Sequence, residues 1–150
     1  MITLADMEMR IKYFAELDAS ELYEILRLRS EVFVVEQNCV YQDIDGIDTR
    51  ALHVYAMHGG KCIGCLRVFE RDKKTVQIGR VVTAAMRRGT GLGRMLMLEA
   101  LRILDDYFHG CSAYLEAQTY AVGFYSRFGF KVASEVFLED GIPHVVMTND

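Results

Sequence analysis

The stretch "VVTAAMRRGTGLGRMLMLEAL", residues 81–101, joins three different sequence patterns. Residues 81–83 close a run rich in β-forming residues, and glycines at positions 89, 91 and 93 then alternate with larger residues. Apolar residues recur after them at helical spacing, at Leu92, Met95, Leu96, Leu98, Leu101, Leu104 and Tyr107. The stretch therefore predicts a strand, a sharp turn and a long amphipathic helix that ends near His109 and Gly110.

The flanking sequence predicts further strands and helices. Segments rich in β-formers predict strands within 9–17, 51–58, 61–70, 75–83 and 112–118, and a closing hairpin in 130–148 that turns at Asp140 and Gly141. A capping-box pair, Asp18 and Glu21, precedes a second amphipathic helix whose apolar face is Leu22, Ile25, Leu26, Leu28, Val32 and Phe33. A short helix is predicted at 121–129, and 35–48 reads as a polar loop. The mixture predicts an α/β (α+β) fold in one domain over residues 1–150, with three layers: a mixed, mostly antiparallel central sheet and helices on both of its faces.

The composition limits the class of protein. A chain of 150 residues with 51% hydrophobic residues suits one globular domain. The net charge of −4 argues against a general nucleic-acid binder, which would neutralise phosphates with clustered Lys and Arg. The first 14 residues lack the apolar run of a signal peptide, and no later segment approaches the ~20 apolar residues of a membrane span. We therefore expect a cytoplasmic protein that binds neither nucleic acid nor membrane.

The pair Cys62 and Cys65 lies in "KCIGCLRVFE", residues 61–70, and has the spacing of a redox or metal motif. In a regular strand, residues three apart point to opposite faces, so the two thiols are expected to diverge. No second pair follows at zinc-ribbon spacing. The sequence therefore predicts buried strand cysteines and no metal site.

The glycine run invites comparison with three phosphate-binding patterns. A Walker loop requires a lysine and a spacing that are absent here, and the Rossmann pattern fails because positions 94 and 96 are Arg and Leu. The third possibility is a strand, a turn and a helix whose first turn is almost free of side chains. The unpaired N–H groups at the start of such a helix can bind an anion. Arg88 and Arg94 add positive charge and forked donors. The alternative is a glycine turn that only lets the helix pack on the sheet.

Arg88, Gly91 and Gly93 fit the pattern R-x-x-G-x-G, which resembles the signature of the GNAT superfamily of acetyltransferases. The segment "YLEAQTYAVGFYSRFGF", residues 114–130, is similar to that superfamily's later strand and helix. Residues 28–48, "IGRVV" at 78–82 and "EDGIPHVVM" at 139–147 resemble the ElaA-like branch. Together these stretches extend the resemblance over almost the whole chain.

The resemblance implies a site for acetyl-coenzyme A. Backbone groups of Val81, Val82 and Thr83 would pair with the pantetheine arm between splayed strands, as an added strand does. The pyrophosphate would lie on the loop formed by Arg88, Gly89, Thr90, Gly91, Leu92, Gly93 and Arg94. Tyr125 occupies the position of the general acid that protonates the departing thiolate. Gln118 stands where many members carry Asn, and a cofactor contact is expected from it too.

The sequence says less about the residues that bind and deprotonate the acyl acceptor. An amine must lose a proton before it attacks, and Glu116, which alternation places opposite Leu115 and Ala117, is the candidate base. Polar residues of the loop and of nearby strands are candidates for the acceptor pocket: Glu36, Gln37, Cys39, Tyr41, Gln42, Asp43, His53, Arg67, Arg80 and His144. Acidic groups would favour a cationic amine and Arg67 and Arg80 a carboxylate, so the charge of the acceptor stays open.

Two functions follow as expectations. The first is an acyl-coenzyme A-dependent N-acyltransferase that transfers acetyl directly to an amine of a small molecule or peptide. The second is a noncatalytic acyl-coenzyme A sensor or interaction module on the same fold. Exposed strand edges also make a homodimer reasonable.

Overall fold

A computed structural model describes residues 6–150, so the first five residues, which bear on the expectation that no signal peptide is present, lie outside it. The strands are β1 Glu8–Tyr13, β2 Leu52–His58, β3 Lys61–Asp72, β4 Thr75–Thr83, β5 Ser112–Gln118, β6 Lys131–Val132, β7 Phe137–Glu139 and β8 Ile142–Thr148. The α-helices are α1 Ala19–Arg29, α2 Leu92–Tyr107 and α3 Val122–Ser126.

The strands in this part of the chain form one sheet in the order β1-β2-β3-β4-β5-β8-β6, and β7 also pairs with β8. Every pair is antiparallel except β4 and β5, which run parallel. The predicted fold class, a mixed and mostly antiparallel sheet between helices, is confirmed.

Two apolar cores hold the three layers together. On one face of the sheet, residues of α2 such as Leu96, Met97 and Ile103 pack with Val54 and Leu66. On the other face, the core comprises Ile25, Leu28 and Val32 with Tyr55, Met57, Cys62, Cys65 and Val82. Strand residues alternate between the two cores, which is why both faces carry helices.

The start of α1 follows the sequence prediction. The Asp18 carboxylate accepts from the Glu21 N–H at 2.7 Å, and the Glu21 carboxylate accepts from the Asp18 N–H at 3.0 Å. The capping box is therefore confirmed. The far end differs from the prediction, because residues Ser30–Glu36 continue as a π-helix, a wider form that is frequent at functional sites.

The buried stripe of α2 differs in part from the predicted one. The residues that face the sheet are Leu92, Leu96, Met97, Ala100, Ile103 and Leu104, whereas Leu98 and Tyr107 are 43% and 60% exposed. The close approach of the helix depends on Gly64 of β3, where a Cβ would lie 2.9 Å from Leu92 Cδ2 and 3.1 Å from Leu96 Cδ1. The packing of Leu92 and Leu96 over Gly64 sets the rotation of the helix.

The prediction that Cys62 and Cys65 diverge is wrong. Between β2 and β3, Ala56 pairs with Gly64 but Met57 pairs with Cys62, so Ile63 is an extra residue in β3. The bulge reverses the alternation, and both cysteines pack in the α1 core. Hydrogen bonding to Cys62 and burial raise the pKa of the Cys65 thiol. The expectation of buried strand cysteines is confirmed, since both are buried and free.

Within residues 6–150, none of the helices has both the length and the apolarity to cross a bilayer. Over the same range, no three or more His, Cys, Asp and Glu side chains are grouped so that they could hold a metal ion.

Candidate active site

The parallel strands β4 and β5 separate soon after they begin. They pair only where Thr75, Val76 and Gln77 oppose Ser112, Ala113 and Tyr114. Opposite β3, β4 then carries an extra residue between Gly79 and Val82, and Arg80 adopts a φ of 51°. A bulge bends its strand, so β4 turns away from β5 and leaves its edge unpaired. The splayed strands expected from the resemblance are present.

A cleft of about 940 Å³ opens at this splay, on the α1 face of the sheet. Ala113, Leu115 and Ala117 of β5 point into the α2 core, so Tyr114, Glu116 and Gln118 face the cleft side. Nine other predicted site residues also line the cleft: Gln37, Cys39, Tyr41, Gln42, Arg67, Arg80, Val81, Tyr125 and His144. Gln118 Nε2 donates to Gln37 Oε1 at 3.2 Å and so joins the end of β5 to the end of the π-helix.

The glycine run forms the start of α2 beside the open end of the splay. Gly89 and Gly91 have φ values of 77° and 90°, a region that L side chains rarely adopt. Met95 N–H donates to the Gly91 carbonyl at 3.1 Å, so the N–H groups of Leu92, Gly93 and Arg94 precede the first helical bond. A Cβ at Gly93 would lie 3.4 Å from the Phe124 ring and 3.9 Å from Thr83. The helix start, the end of β4 and α3 therefore meet at one point.

The arginines of this loop differ in whether a carboxylate pairs with them. Arg88 forms a double ion pair with Glu36 of the π-helix, with N–O distances of 3.0 and 2.6 Å. Within the described residues, no carboxylate lies within ion-pair distance of Arg87 or Arg94. Glu36 was predicted to contact the acceptor, but in the structure its carboxylate pairs with Arg88, which belongs to the loop predicted to hold the pyrophosphate.

Tyr125 lies in α3 with its ring against Phe124 and Phe130, at centroid distances of 5.1 and 6.5 Å in edge-to-face contacts. Burial, with a smaller contribution from Tyr120, raises the pKa of Tyr125 well above its ordinary value. A tyrosine hydroxyl keeps its proton at neutral pH, as a proton donor must, and this rise acts in the same direction.

A buried ion network forms the floor of the cleft. Arg29 donates to Asp43 at 2.9 Å and to Asp48 at 2.7 Å, and Arg67 donates to Asp45 at 2.6 and 2.8 Å and to Asp48 at 3.0 Å. Arg80 Nε lies 2.8 Å from Asp43 Oδ1 without the direction of a hydrogen bond. The network ties the 43–48 loop to α1, β3 and β4.

Four residues predicted for the acceptor pocket belong to this floor, and two of them, Arg67 and Arg80, also line the cleft. Asp43 is buried between Arg29 and Arg80, and His53 is only 1% exposed, with Nε2 2.9 Å from the Asp48 carbonyl oxygen. Neither lines the cleft, so neither contacts an acceptor there directly. Burial is the main cause that lowers the pKa of His53, which favours a neutral imidazole.

The family of the chain follows from a comparison that agrees with this geometry. The sequence model of the acetyltransferase (GNAT) domain matches residues 16–150. The chain belongs to the GNAT family.

Individual relatives cover almost the whole GNAT chain. ElaA of Escherichia coli is 39% identical over 142 residues, which is 92% of this chain and 93% of ElaA. A UPF0039 protein of Schizosaccharomyces pombe is 42% identical over 146 residues, 96% of this chain and 97% of that protein. The crystal structure of an acyl-CoA N-acyltransferase from Pseudomonas aeruginosa superposes with a TM-score of 0.91 at 40% identity, covering 96% of this chain and 99% of that one. The crystal structure of E. coli ElaA gives the same TM-score and coverage at 37% identity.

Besides His144, which the sequence analysis named as a candidate, this GNAT cleft contains three charged residues that it did not assign to a site: Glu139, Arg50 and Arg71. Glu139, at the end of β7, faces Glu116, and burial and this neighbour raise the pKa of Glu139. His144 Nε2 lies 3.7 Å from Glu139, and the Tyr114 hydroxyl donates to Glu116 at 3.1 Å. Arg50 and Arg71 line the cleft as well. Only the return of β8 beside β5 brings Glu139 to Glu116, and no local pattern encodes that pairing.

Proposed function

We propose that this GNAT domain is an acyl-coenzyme A-dependent N-acyltransferase, which transfers acetyl from acetyl-coenzyme A directly to an amine. The observation that carries the proposal is the meeting of three features at and beside one cleft: the splayed edge of β4, the glycine start of α2 and the side chain of Tyr125. The first two features suit the donor, and the third suits the leaving thiolate.

The donor fits the residues at the open end of the splay. The free N–H groups at the start of α2, with Arg87 and Arg94 beside them, suit the pyrophosphate. The backbone of Val81, Val82 and Thr83 offers an unpaired strand edge to the pantetheine arm. The side chains of Val82 and Leu92 are buried in the cores, so these two residues would act through main chain alone. Gln118 would contact the arm from β5.

The chemistry proceeds by direct attack. Glu116, open to the cleft, accepts the proton that the acceptor ammonium loses, directly or through water. The free amine attacks the thioester carbonyl, a C–N bond forms and the C–S bond breaks. As the C–S bond breaks, the attacking nitrogen releases its extra proton to solvent, and the Tyr125 hydroxyl donates its own proton to the departing thiolate and recovers one from solvent. The products are the N-acetylated acceptor and coenzyme A.

The test is release of coenzyme A from acetyl-coenzyme A across amines, polyamines and peptides, with Tyr125→Phe as the variant. We expect kcat to fall by about a hundredfold, because proton donation is lost while the ring stays. The dissociation constant for coenzyme A should change little. Tyr107→Phe, an exposed tyrosine at the end of α2, is the matched control and should behave like the wild-type protein.

Two outcomes would contradict the enzyme. Tight coenzyme A binding with no turnover of any acceptor would favour the noncatalytic sensor on the same fold. Full activity of Tyr125→Phe would remove this tyrosine from the chemistry.

Location and assembly complete the proposal. The four cysteines are all free thiols, which suits the reducing cytoplasm. We place the protein there as one domain, with homodimerisation through the edge strand β1 as a further proposal. Light scattering after gel filtration measures the dimer directly.

A further inference from the structure

The cleft has an arginine pole that lacks carboxylate partners. Arg71 stacks on the Tyr114 ring, with its guanidinium carbon 4.0 Å from the centroid, and donates to Gln77 Oε1 at 2.9 Å. Arg50 lies 4.9 Å from the Phe69 centroid and donates to the Glu70 carbonyl at 2.9 Å. Among residues 6–150, no carboxylate lies within ion-pair distance of either. The carboxylate of Asp72, next to Arg71, accepts from the Lys74 N–H, and its interaction with Arg71 is a longer-range attraction between the two charges.

Arg67 lies beside this pole, and one of its buried nitrogens is unsatisfied. Its side chain is 4% exposed, and among residues 6–150 its Nε has no hydrogen-bond partner, although both terminal nitrogens bind carboxylates. Its guanidinium lies 5.5 Å from the centroid of the Phe69 ring, which also carries Arg50. A buried donor without a partner is costly, and a ligand carboxylate or its bound water would satisfy it.

The opposite pole is acidic. Glu116 and Glu139 both line the cleft and interact with each other, and in the described chain the only basic side chain within ion-pair distance of either is His144, at 3.7 Å from Glu139. Tyr114 stands between this pair and Arg71, since its hydroxyl donates to Glu116 while its ring carries the guanidinium. Two facing carboxyl groups without a lysine or arginine suit an ammonium ion, which would relieve their repulsion.

The order of these groups along β5 gives the cleft a direction. Tyr114, with Arg71 on its ring, belongs to the closed end, where Gln77 still pairs with it. Glu116 comes next, and Gln118 lies at the open end near the start of the π-helix. An acceptor whose carboxylate lies at the arginine pole therefore presents its amine at Glu116, on the side from which the donor enters.

We propose that the acceptor is a zwitterion whose ammonium lies between Glu116 and Glu139 and whose carboxylate lies against Arg71 and Arg50. The proposal rests on the N-acyltransferase function proposed above and names its substrate class. Because the side chain of Tyr114 separates the two poles, several bonds must separate the amine from the carboxylate. An ω-amino acid or a short peptide meets that condition, whereas a free α-amino acid carries both groups on one carbon.

The test compares acceptors that differ only in charge and its placement. Release of coenzyme A gives kcat/KM for 4-aminobutyrate, 6-aminohexanoate, butylamine, 1,4-diaminobutane and 2-aminobutyrate. We expect the better ω-amino acid to exceed butylamine and the diamine by at least about tenfold. We also expect 2-aminobutyrate, an isomer of 4-aminobutyrate, to be the poorer substrate of that pair.

A variant assigns the preference to the arginine pole. Arg71→Gln should lower the ratio of kcat/KM for the ω-amino acid over butylamine by about tenfold, and Arg50→Gln should lower it in the same direction. Arg102→Gln is the matched control, because Arg102 lies on α2 and pairs with Glu99 and Asp106. It should leave both constants unchanged.

The outcomes separate the two proposals. Turnover of butylamine or the diamine at least as fast as of the ω-amino acids overturns the zwitterion proposal and leaves the N-acyltransferase intact. A preference that survives in Arg71→Gln and Arg50→Gln also overturns it, since the carboxylate then binds elsewhere. Absence of turnover with every acceptor, including peptides, overturns both.

Discussion

Arg88 is the residue whose setting differs most from its predicted role. It belongs to the R-x-x-G-x-G pattern, yet Glu36 holds both of its terminal nitrogens. The hydrogen bond and charge of Arg88 lower the pKa of Glu36, so the pair stays ionised at neutral pH. Glu36 therefore cancels part of the positive charge that a pyrophosphate would meet at this loop.

Glu36→Gln tests this competition. Removing the carboxylate frees Arg88 for phosphate, so we expect the dissociation constant for coenzyme A to fall by about threefold at low salt. Isothermal titration calorimetry at two salt concentrations measures it. Glu31→Gln is the matched control, because Glu31 is in the same π-helix and, within the described chain, pairs with Arg27 alone, at 3.3 Å. Weaker binding of Glu36→Gln alone would mean that Glu36 orients Arg88 for the ligand.

The start of α2 is the element on which the donor proposal depends. Gly91 precedes the helix with a φ of 90°, and Gly110 follows it with a φ of 88°. An alanine at either position costs about 1–2 kcal/mol of backbone strain, so both substitutions should lower the melting temperature similarly. Only Gly91→Ala should raise the dissociation constant for coenzyme A, by about tenfold, because it adds a Cβ beside the phosphate donors. Equal affinities of Gly91→Ala and Gly110→Ala would contradict the pyrophosphate assignment.

The helices, strands and turns that residues close together in sequence determine could be predicted from the sequence. The Asp18–Glu21 capping box, the Asp140–Gly141 turn and the strand at 112–118 follow from short-range chemistry. The bulge at Ile63 does not, because strand alternation has no signal for an inserted residue, and it moved a cysteine to the other face. The π-helix could not be predicted either, because its apolar residues have nearly the spacing of an α-helix.

The candidate site was predictable only as far as it is continuous in sequence. The glycine run and the Tyr125 segment carry their own patterns, and the structure brings them together at the splay. The acidic pole requires β8 to lie beside β5, and the arginine pole requires β3 to fold over Tyr114. Such contacts join residues far apart in the chain, so alternation could orient Glu116 but could not supply Glu139.

At the scale of the whole molecule, buried charges join the layers. Glu21 starts α1, yet it also accepts hydrogen bonds from Tyr55 of β2 and from Arg10 and Lys12 of β1, the last two at 3.0 Å. It is 2% exposed. Burial opposes ionisation, but the hydrogen bonds from Tyr55, the Asp18 N–H and the two cations prevail and lower the pKa of Glu21 to about 2. The helix is thus attached to the edge of the sheet by one carboxylate.

Glu21 therefore contributes a pH-dependent part of the global stability. Its pKa in the folded state lies below the unfolded value of about 4.3, so its contribution is full above that value and is lost as the pH falls towards 2. Glu21→Gln should lower the free energy of unfolding by about 2 kcal/mol at pH 7, since hydrogen bonds to a charged group are lost. Between about pH 4.5 and 2 the loss should shrink, because the Glu21 carboxylate of the unfolded wild-type chain is then protonated while that of the folded protein is still ionised.

Urea unfolding at pH 7, 4 and 3 measures this difference, with Glu99→Gln on the surface of α2 as the control of equal charge. The control should follow the wild-type curve within about 0.5 kcal/mol at each pH. If the free energy of unfolding of Glu21→Gln differs from that of the wild-type protein by a constant amount from pH 7 to 3, the loss of stability does not depend on ionisation of Glu21. If the difference in free energy of unfolding between Glu21→Gln and the wild-type protein decreases on acidification, while the difference for Glu99→Gln stays the same, the acid sensitivity of the fold is assigned to the junction of α1 with β1 and β2.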